Sequence, residues 1–309
     1  MAAEVVDVEV SLVNTDNREL LARCLASLSA AAGSATWRVT VVDNASSDGS
    51  SEVVRSEFPW ARLLESATRR GFSSNHNRVI HEVLAKGSGR YVLVLNEDTE
   101  LGPGSIQELI AFGDRDPRLG AIGPRLVGSD GREQPSYFRF PRVGRQFWDT
   151  LRPGRPAQTV ETDGWLNGSC LLIRTDALRD VGGFDERFFI FYEDTDLGLR
   201  LRRAGWRTGV CDTARVTHHE HRTVSSAASG GAMEWQLLRS RYLYFRKHYG
   251  TTRAQLVAAL VRGAFAIRAS KSLVVGAVQR NSAERQLANH LWELATYSPQ
   301  KVLPHEVTA

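Results

Sequence analysis

Residues 91–98 read YVLVLNED, five apolar residues in succession followed by an amide and two carboxylates. A run this short and continuously apolar, rich in β-branched and aromatic side chains, fits a strand buried on both faces. The polar residues that end it then lie at the strand's carboxyl end, where open α/β sheets bind ligands. Two strands nearer the N-terminus carry the same signature. Residues 5–13 (VVDVEVSLV) alternate and end in Asn14-Thr15-Asp16, and residues 38–42 (RVTVV) run into Asp43-Asn44 and a loop of turn residues. Between them Leu20, Leu21, Cys24, Leu25 and Leu28 recur at helical spacing, with Gly33 as the stop. A short helix, a short strand over 62–64 and a helix over 75–84 fill the interval to residue 91. Pro103 is expected inside the first turn of a further helix reaching residue 112. The alternation predicts an α/β fold, a Rossmann-like sheet flanked by helices.

Toward the C-terminus the pattern loosens. Pro135, Pro141, Pro153 and Pro156 mark loops, regular structure resumes over 164–174, and a helix over 195–204 is stopped by Gly205. A strand over 214–217 follows, then a small-residue stretch at 225–231 and a mostly helical remainder. Three units result: a ligand-binding half (1–125), a second half of the same domain (126–220) and a helical extension (221–309). With 309 residues, 42% of them hydrophobic and 24% charged, the chain can bury a full core, which excludes disordered, collagen-like and coiled-coil classes. Cys24, Cys170 and Cys211 are too far apart for a disulfide framework or a CxxC metal pair, so a reducing cytosol is the expected home. The first residues lack the basic-then-apolar pattern of a secretory signal. A net charge of +4 does not by itself point to nucleic acid. Its distribution is more telling: residues 235–283 contain no acid but carry Arg239, Arg241, Arg246, Lys247, Arg253, Arg262, Arg268, Lys271 and Arg280. Such a stretch suits either an anionic membrane surface or a helical cap with a solvated basic face.

Carboxylates fixed at three neighbouring strand ends favour one shared ligand over three unrelated helix caps. Neither GxGxxG nor GxxxxGK[ST] occurs, so a diphosphate would need a cation or basic side chains such as Arg69 or Arg70 to neutralise it. Asp98 is the expected metal ligand. A second constellation, residues 191–197 (FYEDTDL), sets Glu193, Asp194 and Asp196 at the start of a helix beside an aromatic run. Helix-start acids satisfy unpaired N–H groups, which competes with a catalytic reading. An acid against an aromatic wall is nevertheless desolvated, and its pKa rises toward that of a general base. Asp194-Thr195-Asp196 is also a DxD that competes with Asp98 for a metal. Third is the run His218-His219-Glu220-His221 after a strand. Adjacent histidines on a strand face opposite ways, so at most one of the first two turns inward.

These clusters, in this order, resemble the family-2 glycosyltransferases of the GT-A fold over roughly residues 8–250. The resemblance is most specific in GWLNGSCLLIRTDALRDVGGFDERFFIFYEDTDLGLRLRRAGW (164–206), which is similar to bacterial rhamnosyltransferases acting on lipid-linked or cell-wall glycans. VVDNASSDGS and VLVLNEDTELGPGSI match the donor half of the same family. The resemblance implies that Asn14, Asp16, Asp43, Asn44, Gly71, Phe72, Asn77, Asn96 and Glu97 line the nucleotide-sugar site. It implies that Asp98, with His218, holds Mg²⁺ or Mn²⁺, and that Asp194 is the general base. Trp165, Asn167, Gly168, Tyr192 and Glu193 fall on the acceptor side. Asp16, Arg69, His76 and Glu97 depart from residues common in relatives.

The implied activity is inverting transfer of a hexose, L-rhamnose from dTDP-rhamnose, to a hydroxyl of a lipid-linked or cell-wall glycan. The enzyme would be cytoplasmic, or peripheral on the inner face of the plasma membrane through its C-terminal helices. Competing readings are a natural-product glycosyltransferase using another TDP- or UDP-sugar and a soluble acceptor, a sugar nucleotidyltransferase, and a non-catalytic sugar-nucleotide-binding protein.

Overall fold

The computed structural model describes residues 5–153, 164–219 and 232–298. Pro156, Glu220, His221 and the stretch 225–231 lie outside the described residues. The first half contains β1 (Val6–Asn14), α1 (Arg18–Ala32), β2 (Trp37–Asp43), α2 (Ser50–Glu57), β3 (Arg62–Glu65), α3 (Phe72–Lys86), β4 (Gly89–Asn96), β5 (Thr99–Leu101), α4 (Ser105–Arg115) and β6 (Leu119–Val127). Then come β7 (Glu133–Gln134), β8 (Tyr137–Arg139), α5 (Val143–Leu151), β9 (Gly164–Leu166), β10 (Cys170–Arg174), α6 (Thr175–Val181), α7 (Glu193–Arg203) and β11 (Arg207–His218). Three helices close the chain: α8 (Ala232–Tyr249), α9 (Thr251–Val278) and α10 (Ser282–Thr296).

The main sheet runs β3-β2-β1-β4-β10-β6-β11-β5, with β7 paired to β6. The strands from β3 to β4 are mutually parallel, while β10 inserts antiparallel between β4 and β6. The sheet is therefore mixed, with helices on both faces. Its centre is the decisive stretch: Tyr91, Leu93 and Leu95 join the core under α1 and α4, and Val92 and Val94 join the core under α3 and α6. Burial on both sides is why that sequence is continuously apolar. The three C-terminal helices share a separate apolar cluster, which reaches the sheet domain through Phe188 and Leu199. All three cysteines are buried free thiols.

Three local expectations change, and one short strand is new. Pro103 lies outside α4, because Gly104 in a left-handed conformation (φ +73°) precedes the first helical residue, Ser105. The stretch 164–174 forms two strands separated by a turn at Asn167-Gly168-Ser169. The strand expected at 214–217 is the end of a longer one with a register shift after Cys211. β5 is too short to carry a periodic pattern, yet it pairs antiparallel with the end of β11 and sets His218 opposite Thr99. That pairing returns residue 218 to the end of β4.

Candidate active site

Because β10 runs antiparallel to β4, the turn that opens β10 sits at the carboxyl end of β4. Asn96 N–H donates to the Ser169 carbonyl at 2.9 Å, and Asn167 Oδ1 accepts from Ser169 N–H at 2.9 Å. The same turn meets α7, where Gly168 N–H donates to Asp194 Oδ2 at 3.2 Å. A Cβ at residue 168 would lie in van der Waals contact with Asp194, at 3.4 Å, and with Phe72, at 3.7 Å. The strand end carrying Asp98 and the helix start carrying Asp194 are thus joined through three residues.

Asp194 has a distinctive surrounding. Its Oδ1 accepts from Thr195 N–H at 2.6 Å and from the Thr195 hydroxyl at 3.3 Å, and no lysine or arginine pairs with it among the described residues. Burial pushes its carboxyl up to about 6, against the pull of these N–H donors. Glu193 is more deeply buried, and burial together with the neighbouring Asp194 and Asp196 raises it well above the usual range. Its Oε2 has no hydrogen-bond partner among the described residues. Phe191 and Tyr192 precede these acids with φ of +68° each, a conformation costly for side chains larger than glycine and typical of functional sites. The Tyr192 hydroxyl donates to Gln146 Oε1 at 3.4 Å and accepts from Arg241 Nε at 3.2 Å.

Asp196, two residues on, does not compete for a metal. It is fully buried and bonds Arg200 Nε (2.8 Å), Lys247 Nζ (2.6 Å) and His248 Nε2 (2.7 Å). Burial alone would push its carboxyl up, but the hydrogen bond from His248 and the charges of Arg200 and Lys247 outweigh it and hold the pKa below the ordinary value. Arg203 Nη1 lies 2.8 Å from His248 Nδ1. A guanidinium only donates, so the ring proton is on Nε2, which donates to Asp196. Sequence reasoning missed Lys247, which registered only as part of a basic stretch, and His248, which it did not single out.

At the other end of the site Asp98 is nearly buried, and His218 Nε2 lies 3.5 Å from its Oδ1. His219 faces the other way, with Nε2 2.8 Å from Glu100 Oε1. Gln134 was not foreseen at all. Its amide nitrogen donates to the His218 carbonyl at 3.1 Å, which leaves its oxygen 2.9 Å from Nδ1. Nδ1 therefore carries a proton, and Nε2 is the nitrogen turned toward Asp98. No three His, Cys, Asp or Glu side chains converge among the described residues. One carboxylate and one imidazole nitrogen are nevertheless a donor set that suits a cation whose other ligands come from substrate phosphates. Beside them Glu97 accepts from Asn17 Nδ2 at 2.7 Å, and burial, then the charge of Asp98, pushes it up to about 7.

The strand-end residues fall into two groups. Asn14 Nδ2 donates to Asp43 Oδ1 (3.3 Å) and Ser46 Oγ (3.1 Å), and its Oδ1 has no partner among the described residues. Asp16 accepts from Ser47 N–H at 2.7 Å and pairs with Arg69. These groups face one another across the ends of β1 and β2. By contrast, Asn44 ties Thr15 to the backbone of Arg70, and Asn77 ties α3 to Phe184 and Glu186. Gly71 meets the Phe189 backbone so closely that a Cβ would lie 2.5 Å from its carbonyl oxygen, and Phe72 N–H donates to that oxygen at 2.7 Å. His76 is fully buried against Ser11 and Phe72, and burial lowers it to about 3. Trp165 stacks on Phe138 (centroids 4.6 Å apart) and lies under Gly198 of α7.

A mixed sheet with acids at the end of its central strand, faced by a helix-start acid across a short turn, defines a GT-A glycosyltransferase. Solved structures agree on the fold. The mannosyltransferase PcManGT from Pyrobaculum calidifontis, in complex with GDP-Man and Mn²⁺, superposes with a TM-score of 0.55 at 17% identity, covering 94% of this chain and 86% of that one. S. aureus TarS 1–349 in complex with UDP-GlcNAc gives 0.54 at 16% identity, covering 94% and 79%. The chain belongs to glycosyltransferase family 2: the model for "Glycosyltransferase like family 2" matches residues 7–234. It is 37% identical over 290 residues to the N-acetylglucosaminyl-diphospho-decaprenol L-rhamnosyltransferase of Mycobacterium tuberculosis, covering 86% of this chain and 92% of the relative.

Proposed function

We propose that this glycosyltransferase moves L-rhamnose from dTDP-rhamnose to a hydroxyl of an N-acetylglucosaminyl-diphospho-polyprenol acceptor, with inversion at the anomeric carbon. The observation that carries the sugar and acceptor is the similarity to the mycobacterial rhamnosyltransferase along nearly its whole length. Asp194 carries the chemistry. Held by N–H and O–H donors without a neutralising cation, it is ionised at neutral pH yet retains the proton affinity a general base needs. It takes the proton from the acceptor hydroxyl as that oxygen attacks the anomeric carbon and the nucleoside diphosphate departs. General base catalysis of this kind contributes about 10²–10⁴ in rate.

Glu193, whose carboxyl burial holds well above the usual range, together with Tyr192, Trp165 and the 167–168 turn shapes the acceptor side. Asn14 Oδ1 and Asp43 receive the base and ribose, with Asp16 and Arg69 at the rim. Asp98 and His218 are the residues that would hold Mg²⁺ or Mn²⁺. That ion would offset the charge developing on the leaving group. The lipid-linked acceptor puts the enzyme at the inner face of the plasma membrane.

A thermal-shift panel of TDP, UDP, GDP and CDP, each with Mg²⁺, Mn²⁺ or EDTA, tests the donor. A ligand at a hundred times its Kd stabilises the folded state by about 2.7 kcal/mol. The expected result is a metal-dependent rise in Tm that is largest for TDP. A preference for UDP or GDP rejects rhamnose, and no shift with any nucleotide rejects the donor site itself.

A further inference from the structure

Helix α9 has two apolar faces. Ala254, Val257, Val261, Ala264, Ala269 and Gly276 are buried against the neighbouring helices. On the opposite side Leu256, Leu260, Ile267, Val274 and Val278 recur at spacings of four, seven, seven and four residues, so they form one stripe about 33 Å long. Four of the five are far from buried, Leu256 being 50% exposed, Ile267 51%, Val274 63% and Val278 79%, while Leu260 is partly buried. No described element covers this face. Arg253 and Lys271, both exposed, stand three or four residues from stripe members and hence beside them, and exposed Arg280 lies just past its end. The other two arginines of the helix serve its packing: Arg262 donates to the Ala295 carbonyl at 2.8 Å and Arg268 to the Thr150 carbonyl at 3.2 Å. The helix contains no acid.

We propose that this stripe docks the enzyme in the plane of an anionic phospholipid surface. An apolar band flanked by cations and free of carboxylates matches the chemistry of a helix lying at a headgroup boundary. No described helix is long and apolar enough to cross the membrane, so α9 lies on the bilayer without spanning it. A second copy is a poorer occupant, because a face flanked by cations and free of acids on its helix offers the same face of another chain no carboxylate to pair with. The geometry also leads back to the site. α5 packs on α9 through Arg268 and Thr150 and carries exposed Trp148, whose ring lies 5.5 Å from the Arg152 guanidinium, as well as Gln146, which meets Tyr192 beside Glu193. The choice of a bilayer over a protein partner rests on the lipid-linked acceptor proposed above.

The test is co-sedimentation of the full chain at low salt with vesicles of phosphatidylglycerol mixed with phosphatidylcholine, compared with phosphatidylcholine alone. Wild type should pellet with the anionic vesicles. The triple variant Ile267→Ser, Val274→Ser, Val278→Ser should lose about tenfold or more in vesicle affinity, since each side chain no longer leaves water for lipid. Lys271→Glu should weaken binding in a salt-dependent way. Both variants should keep the wild-type Tm and wild-type transfer to a short-chain, water-soluble acceptor. Absence of vesicle binding by wild type, equal binding by the triple variant, or a wild-type dimer in sedimentation velocity that the triple variant dissolves would each overturn the proposal. Full transfer to the soluble acceptor without vesicle binding sinks the docking face alone. Vesicle binding with no rhamnosyl transfer to any acceptor sinks the functional reading and leaves the docking face standing.

Discussion

Asp194 and Asp196 sit two residues apart on the first turn of α7, and the two sides of that turn treat the same side chain in opposite ways. The side facing the β9–β10 turn offers Asp194 two backbone N–H groups and one hydroxyl. The side facing α8 offers Asp196 a guanidinium, an ammonium and an imidazole N–H. Burial acts on both. Only on the second side is it outweighed, so one acid is raised and the other lowered. Cations surround the acid that ties α7 to α8, and among the described residues none pairs with the acid proposed to accept a proton. The strand-end acid Asp98 is a third case, faced by Nε2 of His218.

The largest effect expected from breaking this division is on turnover. Asp194→Asn should lower kcat by roughly 10²–10⁴ while leaving the nucleotide Kd from titration calorimetry unchanged. In the wild type, activity should plateau above about pH 6 and fall toward tenfold per pH unit below it, because the base is then protonated. Stability runs the other way. A raised folded-state pKa means that the folded chain binds this proton more tightly than the unfolded one, so stability is lost as pH rises through about 6. At neutral pH Asp194→Asn should therefore melt higher than wild type. An inactive variant that also melts lower would show that Asp194 holds the fold as Asp196 does.

Asp196→Asn should act on stability before chemistry. It takes the counter-charge from Arg200 and Lys247 in a buried network, a class of change that costs about 3–5 kcal/mol. Lys247 keeps Asp185 at 2.8 Å, so the lower end is expected in urea unfolding. The sign with pH is opposite to that of Asp194. A depressed folded-state pKa contributes stability above the unfolded value and loses it as pH falls toward the folded one, so wild type and variant should converge in acid. A variant as stable as wild type at neutral pH would remove the contrast.

How much of this was legible in the sequence follows from what is local. The continuous apolar run at residues 91–95 announced a central parallel strand because burial on both faces leaves no room for alternation. The polar residues after β1, β2 and β4 announced a crevice because strand ends are fixed by the strands themselves. The opposite facing of His218 and His219 follows from the two-residue period of β11. What could not be read depends on partners distant in sequence. Asp194-Thr195-Asp196 reads as a metal-binding pattern until the fold sets Lys247 and His248 against Asp196, some fifty residues away. That the amides of Asn44 and Asn77 also join loops could not be read from the sequence. β5 and β7 consist of three and two residues, below any detectable period.

Gln134 on β7 belongs to that second group, and it offers the smallest and most selective test. It is hydrogen-bonded to neither Asp98 nor Asp194, and it reaches the site through His218, whose carbonyl and Nδ1 proton it holds. Gln134→Leu removes that constraint, so Nε2 faces Asp98 only part of the time. Partners of this kind behind an imidazole ligand are worth about 10–100-fold in metal affinity. Mn²⁺ binding followed by electron paramagnetic resonance with a nucleoside diphosphate present should weaken by that factor. Asp194 is served by a different turn, so the apparent pKa of the base in the pH profile should stay near 6. Unchanged Mn²⁺ affinity would remove His218 from the ligand set. Weakened affinity together with a moved pKa would mean that the strand-end and helix-start acids titrate as one unit, and the separation drawn between them would have to be abandoned.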